Sequence, residues 1–199
     1  MTQTTLPKLA VALLLSGLTF LAPSSPKATE TLLVTDEPED DVWGIDRITD
    51  NAIWLKVNGR VTHGDNLILR VFQNDCDTAH LLTSVYTMAG SKDKVLSWDE
   101  KEIFLTLNGT PHVAEVLYPT EFLSGYRFLV SFGYTSVENV KALFEGVDEV
   151  SMELKDSDHL NVSESVDIPR NTWSVQGAHN AIKRAQKMCR TMVSPPAVL

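Results

Sequence analysis

The chain has little cysteine and none of the common catalytic motifs. Cys76 and Cys189 are its two cysteines, so there is no paired CxxC. A nucleophile elbow, a zinc-binding HExxH and a phosphate-cradling glycine loop are also missing. The five histidines are scattered, with no metal-ligand spacing between them. These absences lead us to expect no catalytic residue set and no cofactor.

Positive charge and long apolar runs are scarce as well. The chain has 17 Lys and Arg residues against 26 Asp and Glu residues, a formal net charge of −9. Nucleic-acid binding usually requires a basic patch, so we expect no nucleic-acid partner. The apolar run from Leu9 to Ala22 is shorter than the roughly 18 to 20 residues of a spanning helix. Preceded by Lys8 and followed by Ser24, it is typical of a cleaved secretory signal.

The sequence divides into four predicted segments. Residues 1–24 form the signal peptide, and residues 25–41 form an acidic flexible leader ending in DEPEDD. Residues 42–193 form a single β-rich domain, and residues 194–199 form a tail. About 175 residues follow the signal, enough for one domain with a substantial core. We therefore expect an exported protein of the periplasm or extracellular space, with no membrane span after signal cleavage.

Alternation of apolar and polar residues predicts a mostly β fold. Residues 51–57, NAIWLKV, place Ile53, Leu55 and Val57 on one face, and residues 66–72, NLILRVF, repeat the pattern. Asn-Gly pairs at 58–59 and 108–109 predict tight hairpin turns. About eight to ten short strands with frequent turns favour β-sandwich-like antiparallel sheets.

Two helices interrupt this pattern. Ser136 is expected to cap a short helix near 136–145 that Gly146 ends. From Ala178 onward, apolar residues recur at spacings of three and four, which predicts an amphipathic C-terminal helix packed on the sheet. Residues 90–94 are expected to form a polar loop, and residues 161–168 an edge strand.

The two cysteines favour a disulfide between Cys76 and Cys189, because exported chains fold in an oxidising compartment. Cys189 lies on the buried stripe of the C-terminal helix. The bond would therefore clamp that helix to a segment far upstream. Two free thiols or an intermolecular bridge are the alternatives.

The metal candidate with the most oxygen ligands is the loop KDSDHLN, with Asp156, Asp158 and Asn161. The spacing does not match an EF-hand and no glycine supplies the turn, so we predict no metal. Asn108 and Asn161 each begin an N-glycosylation sequon in a predicted turn.

Two further sets of residues bear on function. Trp98 stands in the polar stretch SWDEKE and is a candidate exposed contact for a protein partner. Carboxylates brought together by the fold would allow acid–base hydrolysis. The candidates are Asp99, Glu100, Glu115 and Glu121.

The order of several short motifs resembles a loose group of exported bacterial proteins that includes an accessory protein of type VI secretion loci. The matching segments are Trp43 with Ile48-Thr49-Asp50, Leu67-Ile68-Leu69-Arg70, and Trp173 to Gly177 with Cys189. Val71 stands where the group has cysteine, and Cys76 lies five residues further on. The resemblance implies an accessory or binding role in the cell envelope and no enzymatic activity.

The sequence thus predicts a non-enzymatic exported accessory protein that binds an envelope protein. Exposed strand edges, or a face around Trp98, are the expected contact surface. A cell-wall or glycan hydrolase using paired carboxylates and a small-ligand carrier are the alternatives.

Overall fold

The structure is a computed structural model that describes residues 32–33, 41–90 and 92–192. The predicted signal peptide at residues 1–24 and the tail at 194–199 lie outside the described residues. Most of the leader at 25–41 lies outside them as well.

Within the described ranges, ten antiparallel strands form one continuous, curled sheet in the order β1-β2-β3-β4-β5-β8-β7-β6-β9-β10. This confirms the mostly β antiparallel fold, with the strands joined in a single sheet. The strands are β1 (Leu32–Leu33), β2 (Gly44–Ile48), β3 (Ala52–Asn58), β4 (Asn66–Phe72), β5 (Asp75–Thr87), β6 (Glu102–Leu107), β7 (Thr110–Phe122), β8 (Gly125–Ser136), β9 (Glu149–Lys155) and β10 (Arg170–Ser174).

The described part of the chain also contains four helices: α1 (Lys92–Leu96), α2 (Val137–Leu143), α3 (Val162–Ser165) and α4 (Ala178–Thr191). The prediction of α2 is confirmed, with the Ser136 hydroxyl accepting a hydrogen bond from the Asn139 amide at 3.1 Å. The C-terminal amphipathic helix α4 is confirmed as well, and it packs on the sheet.

Two local predictions are wrong, because the segments concerned contain the short helices α1 and α3. The expected polar loop at 90–94 contains the start of α1, and the expected edge strand at 161–168 contains α3. Each helix is one turn or slightly longer, too short to show a helical period in the sequence. Both turn an apolar residue inward, since Val95 and Val162 are buried.

The two Asn-Gly pairs behave differently. At 108–109 both residues have positive φ, 49° and 77°, so the predicted tight turn is confirmed. At 58–59 the prediction is wrong, because β3 pairs directly with β4 and residues 59–65 form a longer loop between them. The Arg60 amide donates to the Thr172 carbonyl at 2.9 Å, so this loop docks on β10. A side chain at Gly59 would overlap the side chain of Asn171, which explains this glycine by space alone.

One face of the sheet, called the inner face below, carries the hydrophobic core. Alternate residues of β3 and β4 point into it, among them Leu55 and Leu69, which are fully buried. Trp173 is buried there too, and its indole N–H donates to the Asp65 carbonyl at 2.9 Å. Helix α4 packs against strands β2 to β5 and adds its apolar stripe to the same core.

The disulfide between Cys76 and Cys189 is confirmed and joins β5 to α4, with a Cα–Cα distance of 5.7 Å. Its sequence separation is 113 residues. Beside it, the Gln186 side-chain amide donates to the Cys76 carbonyl at 3.2 Å and to an Asp77 carboxylate oxygen at 3.0 Å. Arg190 pairs with the same carboxylate at 2.8 Å. The helix is therefore held on the inner face by covalent, polar and apolar contacts together.

Candidate functional site on the outer face of the sheet

The opposite side of the sheet, called the outer face below, is polar and aromatic. Because side chains alternate along a strand, burying Leu55 and Leu69 turns Trp54 and Arg70 outward. Both are half-buried. The same alternation places Ile68 on this face, next to Arg70 along β4.

Five outward side chains form one cross-strand row, called the arginine–tryptophan row below. Strand register places them opposite one another in the order Arg47, Trp54, Arg70, His80 and Tyr134. The Arg47 guanidinium lies 4.5 Å from the Trp54 ring centroid, and the Arg70 guanidinium lies 4.3 Å from it. The His80 and Tyr134 rings stack at 4.5 Å. The indole is thus flanked by two cations, each a favourable cation–π contact.

His80 is the buried member of this row. Burial, together with the charge of Arg70, lowers the pKa of His80 to about 4, so the imidazole is neutral near pH 7. Its Nε2 lies 2.8 Å from the Ser131 hydroxyl. The pair has the spacing of a serine–histidine dyad, but His80 Nδ1 has no hydrogen-bond partner, so no carboxylate orients the ring. Ser131 also accepts from the Gly133 amide at 3.2 Å. These contacts fit a structural hydrogen bond.

A cavity of about 370 Å³ opens on the outer face beside the row. It is lined mainly by polar and charged side chains from β2, β3, β4, β5 and β8. The lining residues are Asp46, Arg47, Trp54, Leu55, Lys56, Asn66, Ile68, Ser84, Arg127 and Leu129.

Unpaired polar atoms concentrate on this face. Within the described part of the chain, seven buried side-chain nitrogen or oxygen atoms have no hydrogen-bond partner. Two, on Thr62 and Ser165, lie elsewhere. The other five are Trp54 Nε1, Asn66 Oδ1, Arg70 Nε, His80 Nδ1 and Arg127 Nε. A buried polar atom left unpaired costs about 1 to 3 kcal/mol. A ligand or partner that supplied the missing bonds would recover that cost.

The prediction that Trp98 is an exposed contact for a partner is wrong. It is only 2% exposed, and its ring packs edge-on against Phe128 with the centroids 5.6 Å apart. The polar neighbours in the sequence suggested exposure. Helix α1 ends just before Trp98, however, and both Val95 and Trp98 point into the core. Trp98 is therefore unavailable to a partner on the folded protein.

The candidate metal loop uses its oxygens for local hydrogen bonds. Asp156 accepts from the Ser163 amide at 2.8 Å, and Asn161 accepts from the Ser163 hydroxyl at 2.9 Å. Hydrogen bonds from the Ser163 backbone and side chain lower the pKa of Asp156 and connect it to the start of α3. Asp158 is exposed beside them. Across the described ranges, no group of three or more His, Cys, Asp or Glu residues is arranged to hold a metal ion.

The two sequon asparagines lie at element ends. Asn108 is exposed in the β6–β7 turn, and its side-chain oxygen accepts from the Ser151 amide at 2.9 Å. Asn161 is half-buried directly before α3.

The four candidate carboxylates are only partly brought together. Glu100 and Glu115 line an open groove of about 390 Å³ on the sheet, with Glu102 beside them. Glu121 instead pairs with Lys92. Asp99 accepts from the Tyr118 amide at 2.8 Å. The carboxylates in the groove are exposed.

Trp54 is the site residue that the sequence interpretation missed. The pattern NAIWLKV contains the signal, since assigning Ile53, Leu55 and Val57 to the core places Trp54 on the other face. The neighbouring strand places Arg70 outward for the same reason.

No helix among the described residues is both long and apolar enough to cross a membrane. Comparison with known proteins finds no matching family model, no matching curated protein and no matching solved structure. The resemblance to type VI secretion accessory proteins therefore stays a prediction, and the functional argument depends on the geometry of the outer face.

Proposed function

We propose that this chain is an exported, non-enzymatic accessory protein that binds another protein of the cell envelope on its outer sheet face. The observation that carries the proposal is the group of five buried, unpaired polar atoms around the arginine–tryptophan row. Such atoms are rare in folded proteins. Grouped on one face, they favour a surface whose hydrogen bonds are completed by a partner.

The disulfide supports the exported location. Cys76–Cys189 is an intrachain structural bond, and such bonds persist mainly in oxidising compartments. The signal-like sequence at residues 1–24 points the same way. Together the two features support a periplasmic or extracellular site of action.

The contact surface differs from the one that the sequence favoured. Trp98 is in the core, and the edge of β10 is partly covered because loop 59–65 hydrogen-bonds to Thr172 and Asn171. On the outer face Trp54 and Arg70 are half-buried, and Trp54 Nε1 and Arg70 Nε have no hydrogen-bond partner among the described residues. Trp54 and Arg70 are the central residues, because aromatic and arginine side chains contribute most strongly at protein interfaces.

The hydrolase alternative rests on the open groove that Glu100 and Glu115 line. The carrier alternative requires a cavity inside the curl of the sheet. The inner side of the sheet is instead filled by one hydrophobic cluster that includes Trp43, Phe128 and Trp173. The 370 Å³ cavity lies on the outer face, where it is open to a partner surface.

Affinity capture with matched baits tests the proposal. The oxidised protein is coupled as bait, incubated with a crosslinked envelope extract of its host, and compared with a Trp54→Ala, Arg70→Gln variant. The control is Lys183→Gln, which removes one charge from the exposed side of α4. We expect one saturable partner that the wild-type and control baits retain and the double variant loses. Equal retention by all three baits, or no saturable partner on the wild-type bait, would contradict the proposal.

A further inference from the structure

The outer cavity is cationic in an acidic protein. Arg47, Lys56 and Arg127 line it, and Asp46 is the one carboxylate among the lining residues. Asp46 pairs with both Arg47, at 3.1 Å, and Lys56. One negative charge thus faces three positive charges, although the whole chain has a formal net charge of −9. This local excess favours an anionic occupant, because opposite charges attract most strongly where water is partly excluded.

The unpaired atoms in the cavity define the hydrogen bonds that are missing. Trp54 Nε1 and Arg127 Nε are buried donors without a partner, and neither group can accept a hydrogen bond. Both donors require an oxygen acceptor, and a carboxylate supplies one together with the negative charge that the cavity favours. Asn66 Oδ1 is an unpaired acceptor in the same cavity. An acidic polypeptide supplies both kinds of group, carboxylates for the donors and backbone N–H for the acceptor.

The arrangement around Trp54 disfavours a carbohydrate. Sugar rings bind proteins by stacking on an open aromatic face. The Trp54 ring is instead approached by Arg47 from β2 and by Arg70 from β4, the strands on either side of β3, at 4.5 and 4.3 Å from its centroid. The indole N–H is buried and, among the described residues, has no hydrogen-bond partner.

From these contacts we infer that the outer cavity binds an acidic segment of a polypeptide partner, with its carboxylates directed at the cations and unpaired donors that Trp54 and Arg127 contribute to the lining. The inference builds on the proposed function and gives the partner its chemistry. Arg47 and Lys56 add charge attraction, and Asn66 accepts a backbone N–H of the segment. Because the attraction from Arg47 and Lys56 acts through charge near solvent, salt weakens it.

The probe for this inference is a hexaglutamate peptide, with hexaglutamine of equal length as the uncharged control. Binding is followed by NMR on the tryptophan indole N–H signals of the oxidised protein. We expect the Trp54 signal to shift saturably with hexaglutamate and not with hexaglutamine. Trp43 and Trp173 provide internal controls, because their indole N–H groups already donate to the Ser174 and Asp65 carbonyls.

Variants separate specific recognition from general charge attraction. Arg127→Gln should weaken hexaglutamate binding about tenfold, the loss of one charge-assisted hydrogen bond. Lys183→Gln on α4 removes the same charge and should change binding less than twofold. Equal weakening by both variants, or no shift of the Trp54 signal at millimolar peptide, would overturn the inference.

Two further measurements distinguish a failure of the acidic-segment inference from a failure of the proposed function. A heparin-derived hexasaccharide that binds more tightly than hexaglutamate would overturn the peptide assignment in favour of a sulfated glycan. A captured partner that needs Trp54 and Arg70 but is not displaced by hexaglutamate would also overturn it, while leaving the proposed function intact. Displacement of that partner by hexaglutamate, and not by hexaglutamine, is the expected result.

Discussion

The inner and outer faces of the sheet are formed by the same strands but differ in burial and in hydrogen bonding. On β4, Leu69 points inward and is fully buried in the core, while its neighbours Ile68 and Arg70 point outward and are half-buried. The inner face is covered by α4 and closed by a disulfide. The outer face has no such cover within the described residues and carries most of their unpaired polar atoms. The contacts that stabilise the fold therefore lie mainly on the inner face, and the binding that we propose would use the outer face.

The largest expected effect on stability comes from removing the disulfide that holds α4 on the inner face. A Cys76→Ala, Cys189→Ala variant loses a bond that closes a loop of 113 residues. In the chain-entropy model such a loop contributes about 4 to 5 kcal/mol to the free energy of unfolding. Urea unfolding of the oxidised protein and the variant measures the difference. A loss below about 1 kcal/mol would show that the apolar and polar contacts of α4 hold the helix without the bond.

A matched pair of neighbouring substitutions compares the two faces directly. Leu69→Ala removes a fully buried inner side chain, which should reduce the free energy of unfolding by about 3 kcal/mol. Ile68→Ala removes a half-buried outer side chain of similar size, and the loss should be about 1 kcal/mol. Chemical denaturation of both variants gives the two values. Equal losses would mean that the outer face contributes to stability as much as the inner face.

The most specific prediction concerns pH dependence, where two buried groups act in opposite directions. Asp65 lies at the rim of the inner face, accepts from the Tyr86 amide at 2.8 Å, and is 3% exposed. Burial raises its pKa to about 7. Between pH 4.5 and 6.5 the folded protein therefore binds a proton at Asp65 that the unfolded chain has lost, so this residue makes stability fall as pH rises.

His80 on the outer face has the opposite effect. Its lowered pKa, about 4, keeps it neutral in the folded protein over the same window, while the unfolded chain binds a proton below about pH 6.5. Stability from this residue therefore rises with pH. The two slopes, each at most about 1.4 kcal/mol per pH unit, offset each other in the unmodified protein.

Single substitutions should separate these slopes. In thermal unfolding between pH 4.5 and 6.5, Asp65→Asn should become more stable as pH rises, and His80→Gln should become less stable. The unmodified protein should change less than either variant. Slopes of the same sign in both variants would refute the assignment of one buried titrating group to each face.

The inner face was largely predictable from the sequence, because it depends on local patterns. Alternation in NAIWLKV and NLILRVF assigned Leu55 and Leu69 to the core, and the spacing of apolar residues from Ala178 predicted α4. The pairing of Cys76 with Cys189 followed from the count of two cysteines in a chain with a signal-like start. These features need no knowledge of which strands are neighbours.

The outer site was not predictable in the same way, because it depends on register between strands. Arg47, Trp54 and Arg70 meet only because a bulge in β2 sets Arg47 opposite Trp54. His80 joins them only through the pairing of β5 with β4 and β8. Alternation reveals that Trp54 and Arg70 point outward, but not that they are adjacent.

The docking of loop 59–65 on β10 has a consequence for aggregation. Unpaired strand edges are templates on which a second chain can add strands. At one end of this sheet, the Arg60 amide occupies the Thr172 carbonyl, and the Asn171 side chain bonds to the backbone of Val61 and Thr62. At the other end, the edge strand β1 has two residues. The loop thus removes part of the β10 edge as a template for a second copy of the chain, which is compatible with the proposed binding through a face.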